Sequence, residues 1–225
     1  KMTNSIKSVI VIGATGLVGK SLIKQLNDHP FCEQITALVR KEDQVLKKYA
    51  KVRQFIIHDF FLLTQDDVQG YSQAFSCLGT TLKKAGSKEN FYRIDFEMNA
   101  HFADLIAKTD AHYILVSAMG ADASSRIFYN QVKGRLEQHI QQLGLQRISI
   151  IRPSLLLGER EESRTLEGMT QKLYRKFSKI VPDTFKYKPV TAEQVAQTMV
   201  DAAQSQNIPF EIYDNLNIQQ HKSTI

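Results

Sequence analysis

The sequence has few of the residues that build disulfide frameworks and metal sites. Its two cysteines, Cys32 and Cys77, lie far apart in no CxxC arrangement, which argues against a disulfide framework and a zinc site and favours a reducing cytoplasm. The six histidines are scattered without HExxH spacing. We therefore expect a cytoplasmic protein without a metal.

Long hydrophobic runs are also missing. No apolar stretch approaches the roughly 18 residues that span a bilayer, and residues 1–4 carry no signal-peptide core. The net charge of +6 is a mild excess that suits an anionic ligand, but the basic residues form no long run. We expect neither a membrane nor a nucleic-acid partner, but a small-molecule substrate and a monomer or homodimer.

Short apolar runs alternate with longer amphipathic stretches, which is typical of an α/β protein. The runs predict strands at 9–12, 35–39, 55–57, 74–78, 113–116, 148–151 and 210–213, and helices at 16–27, 89–108, 129–143 and 191–204. Strands without polar alternation, separated by helices, indicate a doubly wound parallel sheet, the Rossmann fold. We expect one domain over 1–225, with 153–190 and 205–225 as a small C-terminal substrate-side extension.

A glycine-rich segment directly follows the first strand and opens the first helix. Three glycines spaced GxxGxxG in this position allow a tight turn, close approach of a pyrophosphate, and packing of the helix on the sheet. The helix N-terminus favours negative charge. The segment therefore predicts dinucleotide binding by Gly13, Ala14, Thr15, Gly16, Leu17, Val18 and Gly19.

The end of the second strand indicates which dinucleotide binds. An NAD-binding protein usually has an acidic residue here, which would repel a 2′-phosphate. This strand ends at Arg40 and Lys41, and the acidic Glu42 and Asp43 come one or two places late. Two cations suit a 2′-phosphate and predict NADP(H), although a solvated strand end also commonly carries charge.

The ends of the third and fourth strands supply further candidates. Asp59 is placed either to contact adenine or to cap a turn, and the sequence does not separate the two. The segment Cys77, Leu78, Gly79 and Thr80 closes the fourth strand beside the expected cofactor path. Its glycine would allow close approach to a ribose.

A tyrosine and a lysine four residues apart begin the helix after the fifth strand. Tyr129 and Lys133 share one helix face, so both side chains can reach one cofactor. The lysine ammonium favours the tyrosine phenolate, which would let Tyr129 exchange a proton with substrate. Ser117, after the fifth strand, would either stabilise the substrate oxygen or only close the strand or contact the nicotinamide. Ser124 and Ser125 are reserves whose more ordinary role is to cap the helix.

Together these segments resemble the Tat-interactive oxidoreductase family of atypical, extended short-chain dehydrogenase/reductases. The resemblance rests on GATGLVG at 13–19, ALVRK at 37–41, FSCLGTTLKKAGS at 75–87, YRIDF at 92–96, LVSAMGADASS at 115–125, YNQVKG at 129–134 and RPSLLLGEREESR at 152–164. It implies an NADPH-binding Rossmann domain with Tyr129 as proton donor or acceptor. It also implies cofactor contacts at Pro153, Leu156 and Arg164 in the loop after the sixth strand.

Three functions remain open from the sequence. The first is an NADP(H)-dependent oxidoreductase that passes a hydride between nicotinamide and a carbonyl or alcohol. The second is a non-catalytic module that binds NADPH as a redox signal. The third is a sugar-nucleotide epimerase or dehydratase. It is disfavoured because such proteins usually have a larger C-terminal substrate domain than residues 153–225 and bind NAD, whereas Arg40 and Lys41 suit NADP.

Overall fold

The computed structural model describes residues 5–156 and 186–221. Within these ranges every strand pairs in parallel in a single sheet of order β3-β2-β1-β4-β5-β6-β7. The strands are β1 (Ser8–Ile12), β2 (Gln34–Val39), β3 (Val52–Ile56), β4 (Gln73–Ser76), β5 (His112–Val116), β6 (Ile148–Ile151) and β7 (Phe210–Tyr213). The predicted parallel sheet is confirmed.

Helices connect the strands and lie on both faces of the sheet. They are α1 (Leu17–Asp28), α2 (Leu82–Ala85), α3 (Lys88–Tyr92), α4 (Asn99–Ile106), α5 (Phe128–Gln142), α6 (Ala192–Ser205) and α7 (Asn215–Gln219). A π-helical segment, Arg93–Met98, joins α3 to α4 without a break, so the predicted helix at 89–108 is one run with a wide turn inside. Short 3₁₀ turns occur at Leu46–Lys48, Phe60–Leu62 and Asp66–Val68.

Two buried cores hold the layers together, because successive strand residues point to opposite faces. On β1, Val9 and Val11 pack with α1 and α6, whereas Ile10 and Ile12 pack with α4 and α5. Both faces of the sheet are therefore covered. This explains why the strands read as continuous apolar runs and confirms the doubly wound architecture.

The largest boundary difference is in the third strand, predicted at 55–57 and observed at Val52–Ile56. β3 pairs only with β2, at the edge of the sheet, and its residues are half-buried or exposed. Arg53 and Gln54 belong to it although neither is apolar. An edge strand needs only partial burial, so these two polar residues interrupt the apolar run that would have predicted its first half.

The chain after β6 is tied to the end of the sheet by Asn215, the buried first residue of α7. Its Oδ1 accepts a hydrogen bond from Ser154 N at 2.8 Å, and its Nδ2 donates to the carbonyls of Lys186 and Lys188 at 2.9 and 2.7 Å. Leu156 and Val190 form a parallel bridge beside it. The described ends of the predicted substrate-side segment 153–190 therefore both contact α7. β7, which lies within the second predicted segment at 205–225, belongs instead to the main sheet.

Candidate functional site

The carboxyl ends of parallel strands meet along one edge of the sheet, and this edge carries the predicted site. The residues at 13–19, 40–41, 77–80 and 117 directly follow β1, β2, β4 and β5, and Pro153 lies just after the end of β6. The chain leaves β1 for β2 on one side, while β4 pairs on the other. Ligands of open α/β sheets bind in the crevice at such a topological switch point.

The glycine-rich turn after β1 fits closely against its surroundings. Gly13 has a φ of +71°, and a Cβ there would overlap the Cys77 carbonyl group and lie 2.5 Å from Leu78 N. A Cβ at Gly19 would overlap the Gly13 oxygen and lie 2.8 Å from Ala14 Cα. No larger residue fits at either position without a shift of the backbone, and the turn is held tightly between β1, β4 and α1.

The N-terminus of α1 opens toward solvent at this turn. Gly16 is the N-cap residue, no side chain caps the helix, and its first turn contains no acidic residue. Thr15, Gly16 and Leu17 are exposed, whereas Ala14 and Val18 are buried. The uncapped N–H groups and the helix dipole make this end suitable for a phosphate group, and the residues present therefore fit a dinucleotide pyrophosphate.

Arg40 and Lys41 follow β2 and are both exposed. The acidic residues that follow them, Glu42 and Asp43, interact with the next turn of the chain. A carboxylate oxygen of Glu42 lies 2.8 Å from Lys47 Nζ, and Asp43 Oδ1 accepts hydrogen bonds from two backbone N–H groups of the next turn at 2.8 and 3.1 Å. The two cations are therefore the charged groups left at the end of β2 within the described part of the chain.

Asp59 caps the 3₁₀ turn Phe60–Leu62, since its Oδ1 accepts a hydrogen bond from Phe61 N at 3.1 Å. Of the two roles open from the sequence, the capping role is the one observed. Cys77 Sγ lies 3.9 Å from Met199 Sδ of α6, and burial raises the pKa of the thiol. The backbone of Cys77, rather than its thiol, meets the glycine turn.

The Tyr129–Lys133 pair occupies the first two turns of α5. The Tyr129 ring is half-buried with its centroid 5.5 Å from that of Phe91, and Lys133 Nζ lies 5.7 Å from the Tyr129 centroid. The Lys133 side chain is only 6% exposed. A Cβ added to the exposed Gly79 would lie 3.4 Å from Lys133 Nζ. The structure thus brings the lysine ammonium to the turn after β4.

The site also contains two buried polar residues that the sequence motifs do not predict as site residues. Asp95, in the π-helical segment, has Oδ1 2.6 Å from Lys133 Nζ, and its Oδ2 accepts a hydrogen bond from Thr80 N at 2.9 Å. Asn99 accepts a 2.5 Å hydrogen bond from Ser76 Oγ and donates to the carbonyl of Leu78 at 3.2 Å. Together they fix the segment after β4 to the helix.

A signal for these two residues existed in the sequence. Phe91, Asp95, Asn99 and Phe102 recur at helical spacing and are all fully buried. Polar residues on the apolar side of a helix must find partners, and here these partners are the site itself.

Ser117 lies in a buried polar cluster. It is 5% exposed, and its Oγ donates a 2.5 Å hydrogen bond to Glu137 Oε1. Glu137 also accepts hydrogen bonds from Arg152, through Nε at 3.0 Å and through Nη2. The cluster joins the ends of β5 and β6 to α5, and the Ser117 proton points at a carboxylate.

The capping role expected for Ser124 and Ser125 is wrong. The N-cap residue of α5 is Ile127, which has no side-chain cap. Ser124 Oγ instead donates to Asp122 Oδ1 at 2.7 Å, and Ser125 Oγ accepts from Ile127 N at 3.1 Å. Both serines order the loop that precedes the helix.

The loop after β6 is described only in part. Pro153 is buried, and its carbonyl accepts a hydrogen bond from Met119 N at 2.8 Å. Leu156 is half-buried beside Val190. The predicted cofactor contact at Arg164 lies outside the described residues.

A family model described as NAD(P)H-binding matches residues 13–206. The chain belongs to this NAD(P)H-binding family. Its relatives include protein FMP52-1, mitochondrial, of Scheffersomyces stipitis, 35% identical over 199 residues that cover 88% of each chain. Protein HTATIP2 of Rattus norvegicus is 37% identical over 190 residues, which cover 82% of this chain and 75% of the relative. The resemblance stated from the motifs is confirmed.

Solved structures agree on the fold. A short-chain dehydrogenase/reductase family oxidoreductase from Burkholderia thailandensis superposes with a TM-score of 0.64 at 14% identity, covering 94% of this chain and 92% of that one. UDP-glucuronic acid 4-epimerase from Bacillus cereus in complex with NAD gives 0.62 at 12% identity, covering 91% and 76%. These likenesses place the NAD(P)H-binding family member among Rossmann proteins.

The expected cytoplasmic location is wrong on this comparison, because the FMP52 relatives of Scheffersomyces stipitis and Candida albicans are named mitochondrial. A low cysteine content excludes a disulfide framework but does not separate one reducing compartment from another. In residues 5–156 and 186–221, no helix is both long and apolar enough to cross a membrane.

Proposed function

We propose that this protein is an NADP(H)-dependent oxidoreductase that transfers a hydride between nicotinamide and the carbon of a carbonyl or alcohol. The observation that carries the proposal is the position of Tyr129 and Lys133. They start a helix at the carboxyl edge of the sheet, with Lys133 Nζ beside the Gly79 turn. The phosphate-binding turn at 13–19 opens onto the same edge.

The chain's own residues supply binding at two points. The turn at 13–19 would hold the pyrophosphate through backbone N–H groups at the start of α1. Arg40 and Lys41 would hold the 2′-phosphate, because Glu42 and Asp43 are engaged in the following turn. This arrangement supports NADP(H) over NAD(H).

Proton transfer would fall to Tyr129. The bound dinucleotide would supply or accept the hydride, while the Tyr129 hydroxyl gives a proton to the substrate oxygen or takes one from it. The Lys133 ammonium, 5.7 Å from the ring centroid, favours the phenolate and would also hold the nicotinamide ribose.

The test is oxidation of NADPH by the purified protein with a panel of aldehydes and ketones, followed by the loss of reduced-nicotinamide absorbance. We expect turnover with at least one carbonyl class, and Tyr129→Phe should lower it by ~10²–10⁴-fold without loss of NADPH binding. Equal turnover by the Phe variant would refute the role of Tyr129.

A second candidate is a non-catalytic module that binds NADPH. It is favoured by the state of Ser117, whose buried hydroxyl donates to Glu137 and is not presented to a substrate. Tight NADPH binding without turnover of any carbonyl in the panel would support this candidate over the enzyme.

A further inference from the structure

The ion pair between Asp95 and Lys133 is the most buried one in the described residues. The Asp95 side chain is fully buried, the Lys133 side chain is 6% exposed, and Oδ1 lies 2.6 Å from Nζ. Asp95 lies in the crossover between β4 and β5, while Lys133 is in α5. The contact therefore joins two separate elements at the proposed catalytic centre.

Asp95 is the fixed partner of the pair. Its Oδ2 accepts the Thr80 N–H at 2.9 Å, and its carbonyl accepts a hydrogen bond from Asn99 Nδ2 at 3.3 Å. The π-helical turn that contains Asp95 directs it toward the segment after β4; such turns are frequent at functional sites. Lys133 reaches the carboxylate through a long, flexible side chain, so the carboxylate sets the place of the ammonium.

The carboxylate also decides whether Lys133 carries charge. A buried lysine without a counter-ion tends to lose its proton, because burial disfavours the charged form. Among the described residues, Asp95 faces the ammonium from the crossover, Gly79 lies beside it with neutral backbone, and the Tyr129 ring faces it from the same helix. Glu137, one turn further along α5, is engaged by Arg152. Asp95 is thus the carboxylate that serves as counter-ion to the Lys133 ammonium.

We propose that Asp95 is the positioning residue of the Tyr129–Lys133 pair: it holds the Lys133 ammonium beside the Gly79 turn and keeps it charged, ready for the cofactor ribose and for Tyr129. The inference rests on the proposed function and adds a third residue to its catalytic centre. Asp95 itself is buried and acts through Lys133 rather than on substrate.

The test compares Asp95→Asn with a matched control, Asp104→Asn. Asparagine keeps an acceptor for Thr80 N but removes the charge. Asp104 lies in α4, and its carboxylate pairs with His139 of α5 at 2.7 Å in an exposed position. The control therefore removes the same charge from a contact between the same crossover and α5, but away from Lys133.

The readout is the ¹⁵N signal of the Lys133 ammonium followed with pH by NMR, assigned through its loss in Lys133→Arg. In the wild-type protein and in Asp104→Asn we expect a charged ammonium throughout the neutral range. In Asp95→Asn, Lys133 should titrate at least ~2 pH units lower. NADPH affinity measured by calorimetry should fall about tenfold or more, because a charged hydrogen bond to the ribose is misplaced.

An Asp95→Asn protein whose Lys133 titration and NADPH affinity equal those of wild type would overturn the inference, whether or not any carbonyl is reduced. Since the NMR titration needs no turnover, its result is separate from the fate of the proposed enzyme. If the variant does not fold, the ¹⁵N signal of Lys133 in the wild-type protein tests the inference. A neutral Lys133 amine near pH 7 refutes the inference, and a charged ammonium protected from exchange supports it.

Discussion

Gly16 and Gly19 share the glycine turn, but the structure predicts opposite effects of substitution on stability. Gly16 has φ −76° and ψ 175°, which any residue adopts, and the one atom of the described residues that a Cβ there would meet is the Gly13 oxygen, at 3.4 Å. A Cβ at Gly19 would overlap that oxygen and lie 2.8 Å from Ala14 Cα. One position is open to solvent and the other is enclosed by backbone.

The magnitudes follow from these contacts. Gly16→Ser should stabilise the protein by ~0.5–1 kcal/mol, because it restricts the unfolded chain and supplies the N-cap oxygen that α1 lacks. Gly19→Ala should destabilise it by ~2–3 kcal/mol, because backbone cannot yield as a flexible side chain does. For a protein of this size the midpoint of thermal unfolding should rise by ~1–4 °C in Gly16→Ser and fall by ~4–12 °C in Gly19→Ala.

Both variants should nonetheless lose NADPH affinity. In Gly16→Ser the introduced hydroxymethyl group would occupy the space in front of the helix N-terminus where the phosphates bind, and in Gly19→Ala the turn itself would shift. Thermal unfolding followed by circular dichroism gives the stability changes, and nicotinamide fluorescence gives binding; the chain has no tryptophan to interfere. A Gly16→Ser protein that binds NADPH as tightly as wild type would refute the phosphate site. A fully stable Gly19→Ala protein would refute the packing argument.

Two further predictions concern buried polar groups. Burial lowers the pKa of His112 to about 3, so unfolding takes up a proton below the unfolded pKa of ~6.5, and the free energy of unfolding should be ~2 kcal/mol smaller at pH 5 than at pH 7. Urea unfolding at both pH values should show this loss reduced in His112→Gln, and an unchanged loss would contradict it. Ser117→Ala should lower the free energy of unfolding by ~1–2 kcal/mol, because Glu137 loses a donor, and should leave the NADPH dissociation constant unchanged. A lower NADPH affinity in calorimetry would show that Ser117 lies in the cofactor site.

The sequence predicts the sheet and the phosphate-binding turn well because their signals are local. The apolar runs that became β1, β2, β5 and β6 are buried on both faces. The glycine spacing reports the close packing of Gly19 on Gly13 and Ala14 within the same turn. β3 was the exception, because an edge strand tolerates polar residues.

The polar contacts of the site were not predictable in the same way. Lys133 forms an ion pair with Asp95, which lies 38 positions earlier in the chain. Ser117 donates a hydrogen bond to Glu137, which lies 20 positions later. Neither pairing follows from a local pattern. A buried carboxylate is recognised by its partners, and these are known only once the crossover helix and α5 are placed on the same face of the sheet. The expected cytoplasmic location was also wrong, because cysteine content does not distinguish one reducing compartment from another.

In the function proposed here, the glycine turn and Arg40 together bind NADP(H). Calorimetric titration of the purified protein with NADPH and with NADH, repeated on Arg40→Ala, tests it most directly. We expect tight NADPH binding that Arg40→Ala weakens by about tenfold or more, with weak NADH binding in both proteins. Binding of neither dinucleotide would refute the proposed cofactor site, and equal binding of both would refute the role given to Arg40.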